Sequence, residues 1–303
     1  MVLEMSEEKK DEAGMRNKKK DLINYLSFKN ITSRIFITII LSIWGIISLY
    51  PILYTIISSF KTRLGYAQNR FGLPSIDTFT VANYITMSNR FNFLRLTLNS
   101  VIVTTGGVVL CTILAFSLAY AVTKLRLRGS NYLFLLVIAT LMIPNQTIMY
   151  PLYQTAFDLK LVGTYFGLIL IFAAFGLPLA TFLIAAYLRG VPDALIEAAR
   201  IDGASHFQVM WRVIFPIAIP AVVTVAIINT VWMWNDLLLP LLLIPQPEKT
   251  TLMVAVGTLR SQYDINIPLI SSGLVISIIP VAIAYLLGQR QLIKGMTAGA
   301  IKS

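Results

Sequence analysis

Six long apolar runs, separated by shorter polar stretches, dominate the chain after residue 34. They cover approximately residues 35–60, 97–122, 131–152, 163–187, 213–244 and 269–288. An apolar helix of about 20 residues spans the hydrocarbon core of a bilayer, and each run reaches that length. We therefore predict an all-α integral membrane protein with six transmembrane helices.

Helix-breaking residues occur inside two neighbouring runs. Pro144-Asn145-Gln146 falls within the third run and Gly176-Leu177-Pro178 within the fourth. A break is tolerated in a membrane where other helices or water satisfy the freed backbone groups. The pattern predicts that both helices are interrupted and face a pathway, with Asn145 and Gln146 beside it. In the second run, Gly106-Gly107 predicts a close approach to another helix.

The fifth run, from Val213 to Ile244, is longer than one perpendicular span requires. Its helix must therefore tilt, break or extend past the bilayer. Asp236 is the one acid within the six runs. Two interpretations stay open from the residues alone. Either Asp236 faces a cavity at membrane depth, or it lies in water at the interface, with Trp232 and Trp234 among the lipid headgroups.

The polar stretch 188–213, called the 188–213 loop below, carries the signals of two helices. Pro192-Asp193 suits a helix start, with proline at the first position and the acid in the first turn. Gly203 is a left-handed stop for that helix. Ser205 and Gln208 have the spacing of a capping box, which would start a second helix leading into the fifth run. The loop is predicted to be a helix–turn–helix outside the membrane.

Composition and charge agree with this interpretation. Hydrophobic residues make up 56% of the chain and charged residues 13%, far from the proportions of soluble proteins. The formal charge of +11 raises the possibility of nucleic acid binding, but the basic residues flank membrane runs. Seventeen Lys and Arg fall on the side of the termini and the 188–213 loop, and eight on the other side. The positive-inside rule therefore places both termini and this loop in the cytoplasm, and we expect no nucleic acid partner.

Residues that could carry chemistry are few. The chain has one histidine, His206, and one cysteine, Cys111, far apart in sequence, so we expect no metal site. Cys111 lies within an apolar run and is expected to be a buried, unreactive thiol. The phosphate-binding pattern G-x-x-x-x-G-K-[ST] does not occur. We expect no catalytic residues and no cofactor bound by this chain.

Three segments in and after the 188–213 loop resemble the EAA loop of permease subunits in binding-protein-dependent ABC importers. They are Glu197-Ala198-Ala199, Asp202-Gly203-Ala204 and Val213-Ile214-Phe215-Pro216. Val213 and Phe215 stand where the family more often has Ile and Leu. The resemblance implies the type I ABC importer (MetI-like) permease fold. It also implies docking on a separate ATPase subunit, with contacts from Glu197, Ala198, Ala199, Arg200, Asp202, Gly203 and Ala204.

The end of the chain carries a second resemblance. Residues 291–302 are similar to the ending of maltose-type sugar permease subunits that lack a large periplasmic insertion. In that group the tail reaches between the ATPase subunits. The resemblance therefore implies further ATPase contacts from Gln291, Lys294 and Gly295.

Two more segments fit the same group. Residues 234–240 resemble the Trp-Asn-x-x-x-x-Pro stretch of carbohydrate permeases, which lines the translocation path. This places Trp234, Asn235 and Asp236, together with Asn145 and Gln146, along that path. The loop 245–268 corresponds to one that reaches into the docked binding protein of maltose-type permeases. It implies binding-protein contacts from Thr258, Gln262, Tyr263 and Asn266.

These resemblances imply one membrane-spanning permease subunit of an ATP-driven importer for a sugar or oligosaccharide. The implied partners are a homologous second permease, two ATPase subunits that hold ATP and Mg, an extracytoplasmic solute-binding protein and membrane lipid. The expected location is the cytoplasmic membrane of a bacterium or archaeon. The expected layout is a cytoplasmic tail 1–34, a permease domain 35–290 and a cytoplasmic tail 291–303.

Two alternatives stay open. One is an ABC permease for another solute, such as glycerol phosphate or a polyamine. The other is an ion-coupled secondary transporter, which needs coupling residues of its own in the membrane. Asp236 is the only acid in the runs that could serve there.

Overall fold

The computed structural model describes residues 33–125, 127–259 and 266–300, without the side chains of Ala284 and residues 287–300. The described residues form helices and loops, with one isolated bridge between Lys61 and Phe79. Contacts divide the chain into two units, residues 1–57 and 58–303. Most of the first long helix lies in the first unit, where its apolar side chains are exposed.

Thirteen α-helices are present in the described part of the chain. In chain order they are α1 (Ser33–Ser59), α2 (Arg63–Gln68), α3 (Ala82–Arg90), α4 (Phe93–Lys124), α5 (Ser130–Ala139), α6 (Met149–Asp158), α7 (Tyr165–Leu188), α8 (Ala194–Ile201), α9 (His206–Gln208), α10 (Phe215–Asn235), α11 (Leu238–Leu243), α12 (Leu252–Gly257) and α13 (Ile267–Ala300). Short 3₁₀ turns follow α5 and precede α6, and a π-helical turn, Val209–Ile214, joins α9 to α10.

Four continuous helices in the described residues are long and apolar enough to cross a membrane. They are Ser33–Ser59, Phe93–Lys124, Tyr165–Leu188 and His206–Asn235. The pair Ser130–Met142 and Asn145–Asp158 makes a fifth candidate, bent by 94° at the break between them. A shorter apolar helix, Ile267–Ile283, begins α13. The helical class is confirmed, and six spans remain a prediction.

The helix-breaking residues interrupt the third predicted span but not the fourth. The third is interrupted at Ile143 and Pro144, as predicted, because both residues are extended there. The predicted interruption of the fourth span is wrong, because α7 is helical from Tyr165 to Leu188 with Pro178 inside it. Pro178 is buried, and Ala174, whose carbonyl it leaves without a helical donor, is exposed at the cavity described below.

The core forms where α4 packs along α7, with α10 against both. A Cβ atom on Gly106 would lie 2.7 Å from the Cδ1 atom of Ile169, and one on Gly107 would lie 2.9 Å from the Sδ atom of Met233. Side chains of α7 and α10 thus pack directly against the glycine pair, as small residues in a membrane helix allow. The predicted packing role of this glycine pair is confirmed. Cys111 is fully buried in the same core, also as predicted.

The helix of the fifth apolar run extends beyond the run at one end and breaks before the other. Its helix begins at His206, before the run itself, and ends at Asn235. Asp236 is extended and its carboxylate accepts the backbone N–H of Leu239 at 2.9 Å, which starts the short α11. A helix of 30 residues is about 45 Å long, more than the hydrocarbon core needs. A helix of this length extends past the hydrocarbon core or tilts within it.

Candidate functional site

The helix α8 of the 188–213 loop ends in a hydrogen-bonded turn centred on Gly203. The φ angle of Gly203 is +84°, the left-handed conformation that the sequence predicts. The N–H of Gly203 donates to the carbonyl of Arg200, and that of Ala204 to the carbonyl of Ala199, both at 3.0 Å. These two bonds are the Schellman pattern of a helix C-terminus. The turn therefore has one well-defined geometry.

The start of α8 lies later than predicted. Pro192 was expected at the first helical position with Asp193 in the first turn, but Asp193 is the N-cap and the helix begins at Ala194. The Asp193 carboxylate caps no backbone group of α8 and accepts the Lys124 ammonium group at 2.7 Å. The Asp193 carboxylate therefore pairs with Lys124 of α4 and not with the backbone at the start of α8.

The predicted capping box is present at the start of the second helix. The Ser205 N–H donates to the Oε1 atom of Gln208 at 2.8 Å, and the Gln208 N–H donates to the Oγ atom of Ser205 at 3.3 Å. The side chains of Arg200 and His206 are in contact across the turn. The loop is thus an ordered helix–turn–helix that continues directly into α10.

One side of the 188–213 loop packs on the core and the other is exposed. Ile196, Ala199 and Ala204 contact the core. On the other side, Ile201 is 86% exposed and Phe207 is 68% exposed. Sequence reasoning missed these two residues, although a large apolar side chain inside a polar loop is a signal for a docking surface.

The predicted ATPase contacts divide between these two sides. Glu197, Ala198, Arg200, Asp202 and Gly203 are exposed, and two are half-buried, Ala199 and Ala204. The exposed members lie on the same side as Ile201, where a partner can reach them. Their contact with an ATPase stays a prediction.

A cavity of 560 Å³ lies between the broken third span, α7 and α10. Both helix-breaking segments that the sequence singled out line it, through Asn145 and through Gly176-Leu177-Pro178. Its polar groups come from Thr140, Asn145 and Asn229, and Trp232 adds an aromatic face. The size and the mainly apolar lining with a few polar groups are typical of a small-molecule site.

Asn229 is held at the inner wall of this cavity by close packing of three helices. It is 4% exposed, and its Nδ2 atom donates to the Sγ atom of Cys111 at 3.5 Å. A Cβ atom on Gly176 would lie 2.9 Å from both the Asn229 Oδ1 atom and the Cys111 Sγ atom. Sequence reasoning missed Asn229; a carboxamide inside an apolar run is the signal that identifies such a position.

The structure does not bring all predicted path residues to this cavity. Gln146 is exposed and is not part of its lining. Trp234 is buried elsewhere, where its Nε1 atom donates to the carbonyl of Ser277 at 3.2 Å. Asn235 is exposed and bonds to the carbonyl of Val231, and Asp236 caps α11. A path role for these four residues stays a prediction.

A second pocket of 380 Å³ lies beside the 245–268 loop. Thr258, a predicted binding-protein contact, lines it together with Arg90 and Arg95. Asn266 accepts the N–H of Leu269 at 3.2 Å at the start of α13. Gln262 and Tyr263 lie outside the described residues, as do the side chains at Gln291 and Lys294. The backbone at Gly295 is helical, within α13.

One protein-family model matches most of the chain. Residues 107–297 match the family model described as "Binding-protein-dependent transport system inner membrane component". The match begins in the middle of α4 and includes the cavity, the 188–213 loop and α13.

Several curated proteins are similar over almost their whole length. A putative ABC transporter permease protein from a Caldicellulosiruptor species is 34% identical over 87% of this chain and 95% of its own. A probable permease protein for transport of starch degradation products in Thermoanaerobacterium thermosulfurigenes is 34% identical, covering 88% and 95%. An arabinooligosaccharide transport permease protein of Halalkalibacterium halodurans is 32% identical, covering 84% and 92%.

A solved structure has the same fold. It is a chain of a bacterial ABC transporter involved in import of the acidic polysaccharide alginate. The TM-score is 0.72 at 27% identity, over 84% of this chain and 95% of that one.

Proposed function

The chain belongs to the family of binding-protein-dependent transport system inner membrane components, and on that premise we propose that it is the permease subunit of an ATP-driven importer for a sugar or oligosaccharide. The relatives named for starch products and arabinooligosaccharides support this substrate class. Its proposed partners are a homologous second permease, two ATPase subunits that hold ATP and Mg, and an extracytoplasmic binding protein.

The observation that carries the proposal is the geometry of the 188–213 loop. It is a rigid helix–turn–helix, continuous with a membrane helix, that exposes Ile201 and Phe207. A surface of this kind suits a separate protein that moves the loop as a unit. Closure of the ATPases would displace the loop, and the spans would switch between two packings by rigid-body motion.

We propose that the protein has six spans in the cytoplasmic membrane of a bacterium or archaeon, with both termini and the 188–213 loop in the cytoplasm. Residues 1–34 and 291–303 are then cytoplasmic tails on either side of the permease domain 35–290. The excess of Lys and Arg on that side of the chain supports this orientation.

The 560 Å³ cavity is the proposed contribution of this chain to the translocation path. Carboxamide groups at Asn145 and Asn229 suit the hydroxyl groups of a sugar, and Trp232 suits the apolar face of its ring. The lining, all within the described residues, contains no charged side chain. A charged substrate would therefore meet no counterion in this lining, so we propose a neutral sugar.

The transport proposal is tested by reconstitution of the chain with its second permease, ATPases and binding protein in liposomes. Mass spectrometry of the ligand on the purified binding protein identifies the sugar, and uptake of that sugar is then measured. We expect uptake that requires both ATP and the binding protein. Uptake by this chain alone, driven by an ion gradient, would overturn the proposal.

Leucine substitutions at two neighbouring amide residues test the role of the cavity. Asn145→Leu removes a polar group from the cavity lining, whereas Gln146→Leu makes the same kind of change outside it. We expect uptake at low sugar concentration to fall roughly tenfold in Asn145→Leu, since a lost hydrogen bond costs about 1.5 kcal/mol. We expect Gln146→Leu to transport normally, a result that would remove Gln146 from the predicted path. Equal uptake by the two variants would exclude this role for the cavity.

A further inference from the structure

The helix α4 is fastened at both ends to loops that the proposed function assigns to different partners. At its C-terminal end, the Lys124 side chain is 3% exposed. Its Nζ atom donates to the carbonyl of Val191 at 2.6 Å and to the carboxylate of Asp193 at 2.7 Å. Both acceptors lie in the 188–213 loop, immediately before α8. One buried ammonium group thus binds the beginning of this loop to α4.

At the N-terminal end, Asn99 and Ser100 fasten α4 to the 245–268 loop. The Nδ2 atom of Asn99 donates to the carbonyls of Glu248 and Thr250 at 3.0 and 2.9 Å. The Oγ atom of Ser100 accepts the N–H of Leu252 at 2.9 Å. Asn99 and Ser100 are 5% and 2% exposed, so little water competes for these bonds.

The two attachment points lie far apart on a stiff helix. From Asn99 to Lys124 an α-helix rises about 37 Å, more than the roughly 30 Å of a hydrocarbon core, so they lie at opposite faces of the membrane. Of the long helices in the described residues, α4 alone contains no proline. Its glycine pair is packed against Ile169, Phe172 and Met233, which opposes bending there.

We propose that α4 is the mechanical link between the two partner surfaces, with Lys124 and Asn99 as its positioning residues. A displacement of the 188–213 loop by the ATPases moves α4 through Lys124. The same movement reaches the 245–268 loop, beside the docked binding protein, through Asn99. The inference rests on the proposed importer function and assigns to this chain the connection between its two ends.

The test uses the complete transporter in liposomes. Three rates are measured: ATP hydrolysis alone, ATP hydrolysis with loaded binding protein, and sugar uptake. Lys124→Met removes the ammonium group and keeps most of the apolar stem. We expect assembly and unstimulated hydrolysis to persist, while stimulation by the binding protein is lost and uptake per ATP falls roughly tenfold, a usual size for coupling between sites.

Two further variants distinguish a loss of coupling through α4 from a loss of folded structure. Lys124→Arg retains donors for both acceptors and should restore coupling. Asn99→Asp keeps the acceptor for the Tyr165 hydroxyl group, 2.7 Å away, but removes the N–H donors to the 245–268 loop. It should reproduce the defect of Lys124→Met from the opposite end of α4.

The matched control is Arg128→Met, which removes a cation from the exposed turn just beyond α4. It should behave as the wild type. The inference is overturned if an assembled Lys124→Met or Asn99→Asp transporter keeps wild-type stimulation and uptake per ATP. It is also overturned if these variants lose assembly and unstimulated hydrolysis together, because that result shows a structural role only. Absence of ATP-dependent uptake in the wild type would instead refute the importer function itself.

Discussion

At the scale of single residues, two glycines illustrate different physical constraints. Gly203 is needed for its backbone conformation, because φ is +84° and a Cβ atom there would meet no other atom within 4 Å. Gly176 is needed for space, because a Cβ atom would collide with Asn229 and Cys111. Substitution at each of these two positions should therefore impair the protein for a different reason.

Replacement of Gly203 by valine should impair coupling without preventing membrane insertion. A β-branched residue in the left-handed region carries strain of about 1–2 kcal/mol, which re-aims the helix that begins after Ser205. We expect ATP-dependent uptake in liposomes to fall roughly tenfold at equal protein content. Gly203→Asn is the matched control, because asparagine tolerates this conformation, and it should retain most uptake. Normal uptake by the valine variant would refute the predicted loop geometry.

Replacement of Gly176 by alanine should destabilise the protein. The added methyl group overpacks the junction of α4, α7 and α10, which costs about 1–3 kcal/mol. We expect the unfolding midpoint of the purified chain in detergent to fall by at least about 2 °C. Ala186→Val enlarges an exposed residue on the same helix and should leave the midpoint unchanged. A Gly176→Ala midpoint equal to that of the wild type would show that the junction adjusts without cost.

At the scale of the elements, the 188–213 loop combines local order with an exposed apolar surface. Hydrogen bonds within the loop order the turn at Gly203 and the capping box at Ser205. The exposure of Ile201 and Phe207 is therefore not a result of poor folding of the loop. Exposed apolar side chains on this ordered element support the proposed docking of another protein there.

Replacement of Ile201 by aspartate should weaken assembly with the ATPase subunits. A buried apolar contact at the centre of an interface commonly contributes about 2 kcal/mol or more, and a desolvated carboxylate adds a penalty. We expect the amount of ATPase that co-purifies to fall roughly tenfold or more. Leu127→Asp makes the same change at an exposed leucine in the turn after α4 and should have no effect. Equal co-purification of the two variants would remove Ile201 from the docking surface.

At the scale of the whole molecule, α4 contributes residues to two apolar clusters, one beside each proposed partner surface. The core cluster that includes α4, α7 and α10 extends to residues of the 188–213 loop. A second cluster joins Trp234 to Leu252 and Leu269, near the 245–268 loop. Under our proposal, movement at one end would pass along α4 from one packed cluster to the other, since close-packed interiors deform little.

Engagement of the binding protein should depend on the nucleotide state of the complex. Cysteines placed at Thr258 and Asn266 should crosslink to the ligand cleft of the binding protein when ATP is bound and hydrolysis is blocked. The native Cys111 is fully buried and does not compete for the crosslinker. A control pair elsewhere on the docking surface should react in the same sample. Reaction of the control pair without reaction at Thr258 or Asn266 would exclude contact by this loop.

The sequence by itself determined the features that depend on local chemistry. Apolar runs of membrane length, the left-handed stop at Gly203 and the capping box at Ser205 and Gln208 all require only neighbouring residues in the chain. The EAA segments placed the chain in its family for the same reason, because docking motifs are short and continuous.

Only the tertiary structure decided what neighbouring helices do to those local signals. Pro178 predicts a break, yet α7 is continuous through it and packs along α4. Asp193 suits a helix dipole, yet Lys124, 69 residues away, takes its carboxylate. Asn229 lines the cavity and donates to Cys111 of α4, whereas Trp234 of the same helix donates to the carbonyl of Ser277 on α13. These outcomes depend on contacts between residues distant in sequence, which hydropathy and local propensity do not contain.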